Sequence, residues 1–165
     1  MSLGLIITGV ICVLLILVIY ISTSKNRKKK YNEYIVPLLQ FAEANNCTVT
    51  TTDIWNTSVI GIDDHRGFVF FIQKSGDGEN KAVINLADVF RCKVAEISRI
   101  TSPKEGSLKV FDRIDLVVTY KDKGKPDSSI EFYSSKTDRL TLAGELQMAE
   151  KWCGIIYNKS AKLNK

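Results

Sequence analysis

An unbroken run of 19 uncharged residues, Leu3–Ile21, constrains the fold of this chain more than any other feature. As a helix that rises about 1.5 Å per residue, the run would span about 28 Å, close to the hydrocarbon thickness of a bilayer. A helix also satisfies its backbone groups internally, as a segment in lipid must. The run therefore predicts a transmembrane anchor over residues 1–24.

A cleaved signal peptide is the alternative interpretation of this run. Such a peptide has a basic segment before a shorter apolar core and a small-residue cleavage site after it. Only Met1 and Ser2 precede the run, and neither is basic. Residues 22–24 are small enough for a cleavage site, but the apolar core is long and the basic residues lie on its other flank. The pattern favours an uncleaved anchor.

A basic cluster follows the run and predicts both its orientation and a lipid contact. Its members are Lys25, Arg27, Lys28, Lys29 and Lys30. Because no Lys or Arg precedes the run, the positive-inside rule predicts a single-pass membrane protein with an external N-terminus and a cytoplasmic C-terminal domain. The cluster predicts contact with anionic headgroups of the lipid bilayer. An oligomer formed through the transmembrane helix is a further expectation.

The charge balance argues against nucleic acid as a partner. The chain has 23 Lys and Arg against 18 Asp and Glu, and the five basic residues of the cluster account for the whole net charge of +5. The rest of the chain is formally neutral, so the high isoelectric point does not indicate a nucleic-acid-binding surface. The four cysteines are widely separated and lack metal-binding spacing, which predicts reduced thiols and neither metal nor cofactor.

Residue patterns after the anchor predict a helix, a β-rich domain and a second helix. Residues 25–46 combine the basic juxtamembrane segment with a short amphipathic helix that ends near Asn45 and Asn46. Residues 47–158 predict an α+β domain of about seven antiparallel strands, closed by an amphipathic helix over about 139–158, and residues 159–165 predict a polar tail. The predicted strands are 48–52, 59–63, 68–73, 81–86, 89–97, 114–120 and 129–133. Period-two alternation places Phe90, Cys92 and Val94 on one buried face of the fifth strand.

The order of these elements resembles the pleckstrin-homology-like (PH-like) barrel, in which a C-terminal helix closes a strongly bent sheet. The segment Val83–Val89 is similar to the apolar-x-Leu-x-Asp-apolar step that links two central strands in that family. The resemblance implies a scaffold or protein-binding role. Members that bind phosphoinositides carry basic residues in the first hairpin loop, whereas Asn56 and Thr57 occupy that position here. Headgroup binding by the domain is therefore not implied.

No constellation of residues in the sequence indicates catalysis. His65 is the only histidine and lies in a predicted turn, and the chain has no GxSxG or HExxH motif. We therefore expect a non-catalytic, membrane-tethered binding or scaffold protein with an unidentified protein partner. Candidate partner contacts are Trp55, His65 and Arg66. The alternatives are a subunit of a membrane-embedded secretion or conjugation assembly and, less favoured, an enzyme that acts on membrane substrates.

Overall fold

The computed structural model describes residues 11–12, 28–29, 31–76, 78–101, 108–138 and 142–163. The chain forms two compact units, Met1–Pro37 and Leu38–Lys165. In the first unit, Tyr31–Ile35 forms a π-helical turn. The following α-helix, α1, spans Val36–Glu43 and crosses the division between the units. Pro37 is its second residue, where a missing backbone N–H costs the helix nothing.

Seven antiparallel strands and a C-terminal helix build the second unit. The first sheet has the order β1-β2-β3-β4, and the second has the order β5-β6-β7. The bounds are β1 Thr51–Trp55, β2 Ser58–Asp63, β3 Phe68–Ser75, β4 Gly78–Asn85, β5 Val89–Thr101, β6 Leu108–Tyr120, β7 Ser128–Ser134 and α2 Glu145–Leu163.

The predicted fold class is wrong with respect to the transmembrane helix. Apart from Ile11 and Cys12, the predicted anchor lies outside the described residues. Among those residues, no helix is long and apolar enough to cross a membrane. A span needs about 20 consecutive apolar residues, whereas α1 has 8 residues and the 19 residues of α2 include charged ones such as Glu150 and Lys151. We correct the fold class to seven antiparallel strands in two sheets, with α1 and α2, over residues 31–163 as far as the structure describes them.

The strands also form two sheets rather than the one bent sheet that we predicted. A 3-10 turn, Leu86–Asp88, separates β4 from β5 and directs the chain from the first sheet to the second. The Asn85 side chain caps this turn by accepting a hydrogen bond from the backbone N–H of Ala87. Such local side-chain bonds give the backbone an alternative to strand pairing.

Several observed element boundaries also differ from the predicted ones. The first strand begins three residues later than expected and includes Trp55, which the sequence pattern placed in a loop. The C-terminal helix begins at Glu145, after Gly144 with a φ of 113°, and continues to Leu163 through most of the predicted polar tail. At the end of α1, Asn46 adopts a φ of 57°, so the predicted left-handed stop is confirmed.

Strand β2 is buried along its whole length because both faces of the first sheet are covered. Ile60 and Ile62 belong to the main core, which the two sheets and α2 share. On the opposite face, a Cβ atom added to Gly61 would lie 2.8 Å from Leu38 of α1, so the helix approaches the strand closely here. The same face also holds Phe70, whose ring meets that of Phe41 edge-on at 5.7 Å.

Helix α2 is tied to the first strand across the core. Trp152 is fully buried, and its indole Nε1–H donates a 2.8 Å hydrogen bond to Oδ2 of Asp53 in β1. Lys151 Nζ donates to the same oxygen at 2.6 Å. This contact fixes helix α2 against the first sheet.

Candidate functional site

The structure places the three candidate partner contacts in different environments. Trp55 is only 6% exposed. Its indole stacks on Phe132 at 4.2 Å with an interplanar angle of 3°, and on Phe71 at 5.9 Å. Trp55 therefore packs against rings of both sheets instead of presenting a flat aromatic surface.

His65 and Arg66 lie in the exposed turn between β2 and β3. Their backbone N–H groups each donate a 2.9 Å hydrogen bond to Oδ1 of Asp63, and Thr48 N–H donates to Oδ2 at 2.7 Å. Burial alone would raise the pKa of the Asp63 carboxyl, but these donors together lower it below its ordinary value. The Arg66 guanidinium donates to the backbone carbonyl of Asn46. The turn is thus held in place by Asp63, and its residues do not meet Trp55 in a common site.

The basic cluster lies largely outside the described residues. Lys28 and Lys29 are described and exposed, whereas Lys25, Arg27 and Lys30 are not among the described residues. The predicted lipid contact of this cluster therefore stays a prediction, as do the predicted localisation and the absence of a nucleic-acid partner.

An apolar edge strand is the feature that sequence reasoning missed. Strand β5 pairs with β6 alone, so its other edge has no strand partner among the described residues. Phe90, Ile97 and Ile100 project from β5 with exposures of 71%, 59% and 75%. Soluble surfaces carry isolated apolar residues routinely, but these three large ones lie along a single edge strand. We call β5 and these three side chains the β5 edge.

A β-bulge turns Phe90 outward and overturns its predicted burial. Val89 pairs with Tyr120 and Arg91 with Thr119, which leaves Phe90 as the extra residue of the bulge. An extra residue reverses the alternation of side chains at that point. Cys92 is buried as expected, but Phe90 does not share its face. Strict alternation in the sequence cannot reveal such a bulge, so no signal pointed to Phe90.

The far end of β5 belongs to a two-stranded ribbon. Strand β7 pairs with β6 only from Arg113 to Val118, while the pairing of β5 with β6 continues past Arg99 and Ile100. A two-stranded ribbon is marginally stable in water without a third strand or a packing surface. Ile100 therefore lies on a segment that a further strand would stabilise.

Only some of the charged residues on β5 form ion pairs with described residues. Glu96 pairs with Lys109 at 2.7 Å, and Arg99 approaches Asp112 at 3.3 Å. Arg91 and Lys93 are exposed and form no ion pair with any described residue. The strand around Phe90 therefore offers two unpaired positive charges beside an exposed aromatic ring.

An arginine lies between two acidic side chains on β6 and β7. Arg113 Nε donates to Asp115 Oδ2 at 2.6 Å, and its Nη2 lies 3.6 Å from Glu131. Its hydrogen bond with Asp115 is the main reason that the pKa of Arg113 is raised. This arrangement is a surface ion-pair group on the outer face of the second sheet.

A cleft of about 300 Å³ lies at the end of the inter-sheet core beside Trp55. Its lining also includes Ser58, Gln73, Glu131 and Asp138. The residues that line it come from the first sheet, from β7 and from the turn after β7, so the tertiary fold alone assembles it. Trp55, which the sequence predicted as a partner contact, lines this cleft. Nothing in the sequence linked Trp55 to Ser58 or Gln73.

The second unit is thus an antiparallel β-domain whose surface includes the β5 edge and the cleft beside Trp55. Comparisons with protein-family models, with curated proteins and with solved structures find no match to this chain. The resemblance to the PH-like barrel is therefore tested by none of them and stays a prediction.

Proposed function

We propose that this protein is a non-catalytic protein-binding module that holds an extended segment of a partner protein against the β5 edge. The observation that carries the proposal is the exposure of Phe90, Ile97 and Ile100 along one edge strand. An open edge presents a row of backbone N–H and C=O groups with which an added strand can pair. The side chains of the added strand then contact the side chains of the edge strand.

The spacing of the apolar side chains suits an extended ligand better than a compact one. At about 3.3 Å per residue, Phe90 and Ile100 lie roughly 33 Å apart along the strand. A partner segment of about ten residues would cover that distance. Such a segment would also supply the third strand that the ribbon end of β5 and β6 lacks.

The charges specify the composition of the partner segment. Arg91 and Lys93 follow Phe90 on β5 and have no acidic partner among the described residues. Charged residues on an edge strand also discourage unregulated pairing, which accounts for Arg91 and Lys93 but not for three exposed apolar side chains. The segment that fits best is apolar with acidic residues near the end that meets Phe90.

A peptide-display experiment tests the proposal. Random peptides of about ten residues, the length that spans the β5 edge, are selected on the immobilised full chain, and fluorescence anisotropy then measures their Kd. Burying Phe90 in the complex contributes about 2 kcal/mol, so Phe90→Ser should weaken binding about 30-fold. Val83→Thr is the matched control, because Val83 is a partly exposed apolar residue on the edge strand β4 of the other sheet.

The position of the bound peptide gives a second, independent measurement. We expect apolar peptides with acidic residues to be enriched and to protect β5 amides from hydrogen exchange. The proposal is wrong if enriched peptides bind Phe90→Ser as tightly as the original chain, or if they protect another element. A concentration-dependent dimer that Phe90→Ser abolishes would replace the partner segment with a second copy of this chain.

A further inference from the structure

The cleft beside Trp55 is lined by side chains whose hydrogen-bonding groups have no partner among the described residues. Trp55 pairs with Ser58 across β1 and β2, and Ser58 pairs with Gln73 across β2 and β3. Paired residues on neighbouring strands project from the same face of a sheet. The three side chains therefore form one row on the inner face of the first sheet, where the apolar core ends.

Two members of this row are more than nine-tenths buried and carry unused hydrogen-bonding groups. Ser58 is 1% exposed and Trp55 is 6% exposed. Neither the Ser58 hydroxyl nor the Trp55 Nε1–H has a hydrogen-bond partner among the described residues. A buried polar group normally has such a partner. Within the described part of the chain, only Asp115 Oδ1 is both fully enclosed and unpaired, so the two groups keep access to the cleft.

The charged residues of the cleft, in contrast, are already engaged. Glu131 lies 3.6 Å from the Arg113 guanidinium. One oxygen of Asp138 accepts a 2.8 Å hydrogen bond from the Ser134 backbone N–H. Lys74 also has an interaction of its own. Within the row, the groups without a partner among the described residues are neutral donors and acceptors: an indole N–H, a hydroxyl and the amide of Gln73.

We propose that the cleft binds a small uncharged molecule that carries several hydroxyl groups, with Ser58, Trp55 and Gln73 as its hydrogen-bonding contacts. A cleft of about 300 Å³ has room for about ten groups the size of water, which matches a sugar or another polyol. Such a ligand would satisfy the row of polar side chains without displacing an ion pair. This site is separate from the β5 edge and does not depend on the proposed protein partner.

The two tryptophans of the chain provide a reporter and its internal control. Trp55 lines the cleft and its indole N–H has no partner among the described residues, whereas the indole N–H of Trp152 is bonded to Asp53 in the core. Titration of the ¹⁵N-labelled full chain with glucose, xylitol or glycerol should shift the Trp55 indole resonance and leave that of Trp152 unchanged. For a ligand of this size we expect a Kd of about 1 mM. Gluconate, in which C1 of glucose is oxidised to a carboxylate, should bind more weakly than glucose.

A pair of serine variants separates binding from folding. Ser58→Ala removes the unpaired hydroxyl and should weaken polyol binding about 10-fold. Ser160→Ala is the matched control, because Ser160 is 5% exposed but its hydroxyl donates to the Tyr157 carbonyl on α2. If Ser58→Ala does not fold, Gln73→Ala supplies the same test at a half-buried position.

The outcomes are distinct. Shifts confined to Trp55 and reduced by Ser58→Ala support the site. The absence of any shift with all three polyols, equal shifts of both indoles, or unchanged affinity in Ser58→Ala overturns it and leaves a cleft that holds water only. Tighter binding of gluconate than of glucose overturns the assignment of an uncharged ligand.

Discussion

The contact between Asp53 and Trp152 allows the clearest test of what stabilises the domain. Asp53 accepts hydrogen bonds from a fully buried indole N–H and from the ammonium group of Lys151, which is half exposed. Asp53→Ala leaves the indole N–H buried without a partner, and such a group costs about 1–3 kcal/mol. Lys151→Ala removes only a surface ion pair, which contributes less than about 1 kcal/mol. Asp53→Ala should therefore lower the free energy of unfolding by about 2 kcal/mol. Lys151→Ala should lower it by less than about 1 kcal/mol.

Urea denaturation of the full chain, followed by far-ultraviolet circular dichroism, measures these differences. For a domain of this size, a loss of about 2 kcal/mol corresponds to a fall in Tm of roughly 8 °C. A double-mutant cycle of Asp53→Ala with Trp152→Phe should give a coupling of about 1–2 kcal/mol. Asp88→Ala is the control, since Asp88 lies in an exposed pair with Lys125 at 4.0 Å. Equal losses for Asp53→Ala and Lys151→Ala, or no coupling to Trp152, would refute the reasoning.

Three further predictions follow from the core and from the pKa shifts. Gly61→Ala places a Cβ atom 2.8 Å from Leu38 and should destabilise the fold by about 1–3 kcal/mol in the same urea assay. Because the pKa of Asp63 is lowered from 3.8, its carboxylate stabilises the fold above that pH, and this contribution is lost as the pH falls through the folded pKa. The urea midpoint of the original chain should thus fall more between about pH 6 and about pH 3 than that of Asp63→Asn. Burial and the neighbouring Cys153 raise the pKa of the Cys92 thiol, so iodoacetamide should modify Cys92 in urea but not in the native chain, as peptide mass spectrometry would show; rapid native labelling would contradict this.

Local sequence signals predicted some elements well. The apolar segment over 68–73 lies within β3, and the β-branched run over 114–120 lies within β6. Asn46 ends its helix because a short polar side chain tolerates the left-handed conformation. These features depend on neighbours in the chain, which is why residue patterns indicate them.

The candidate sites were less accessible from the sequence. The exposure of Phe90 depends on a one-residue offset between β5 and β6, and alternation alone predicts the opposite. The unpaired groups of Ser58 and Trp55 become visible only when every possible partner is in place. The transmembrane helix predicted from hydropathy was likewise not supported by any helix of the described residues.

The sequence by itself determined the approximate strand segments, the turn at Asn46 and the formal neutrality of the chain beyond the basic cluster, because each depends on composition or on nearby residues. Only the tertiary structure decided the division into two sheets, the burial of Trp55 and the open edge of β5. Trp152 reaches Asp53 across 99 positions of the chain, and Trp55 meets Phe132 across a similar separation. Contacts between such distant residues arise from the packing of whole elements, and no local pattern encodes which side chains that packing leaves exposed or unpaired.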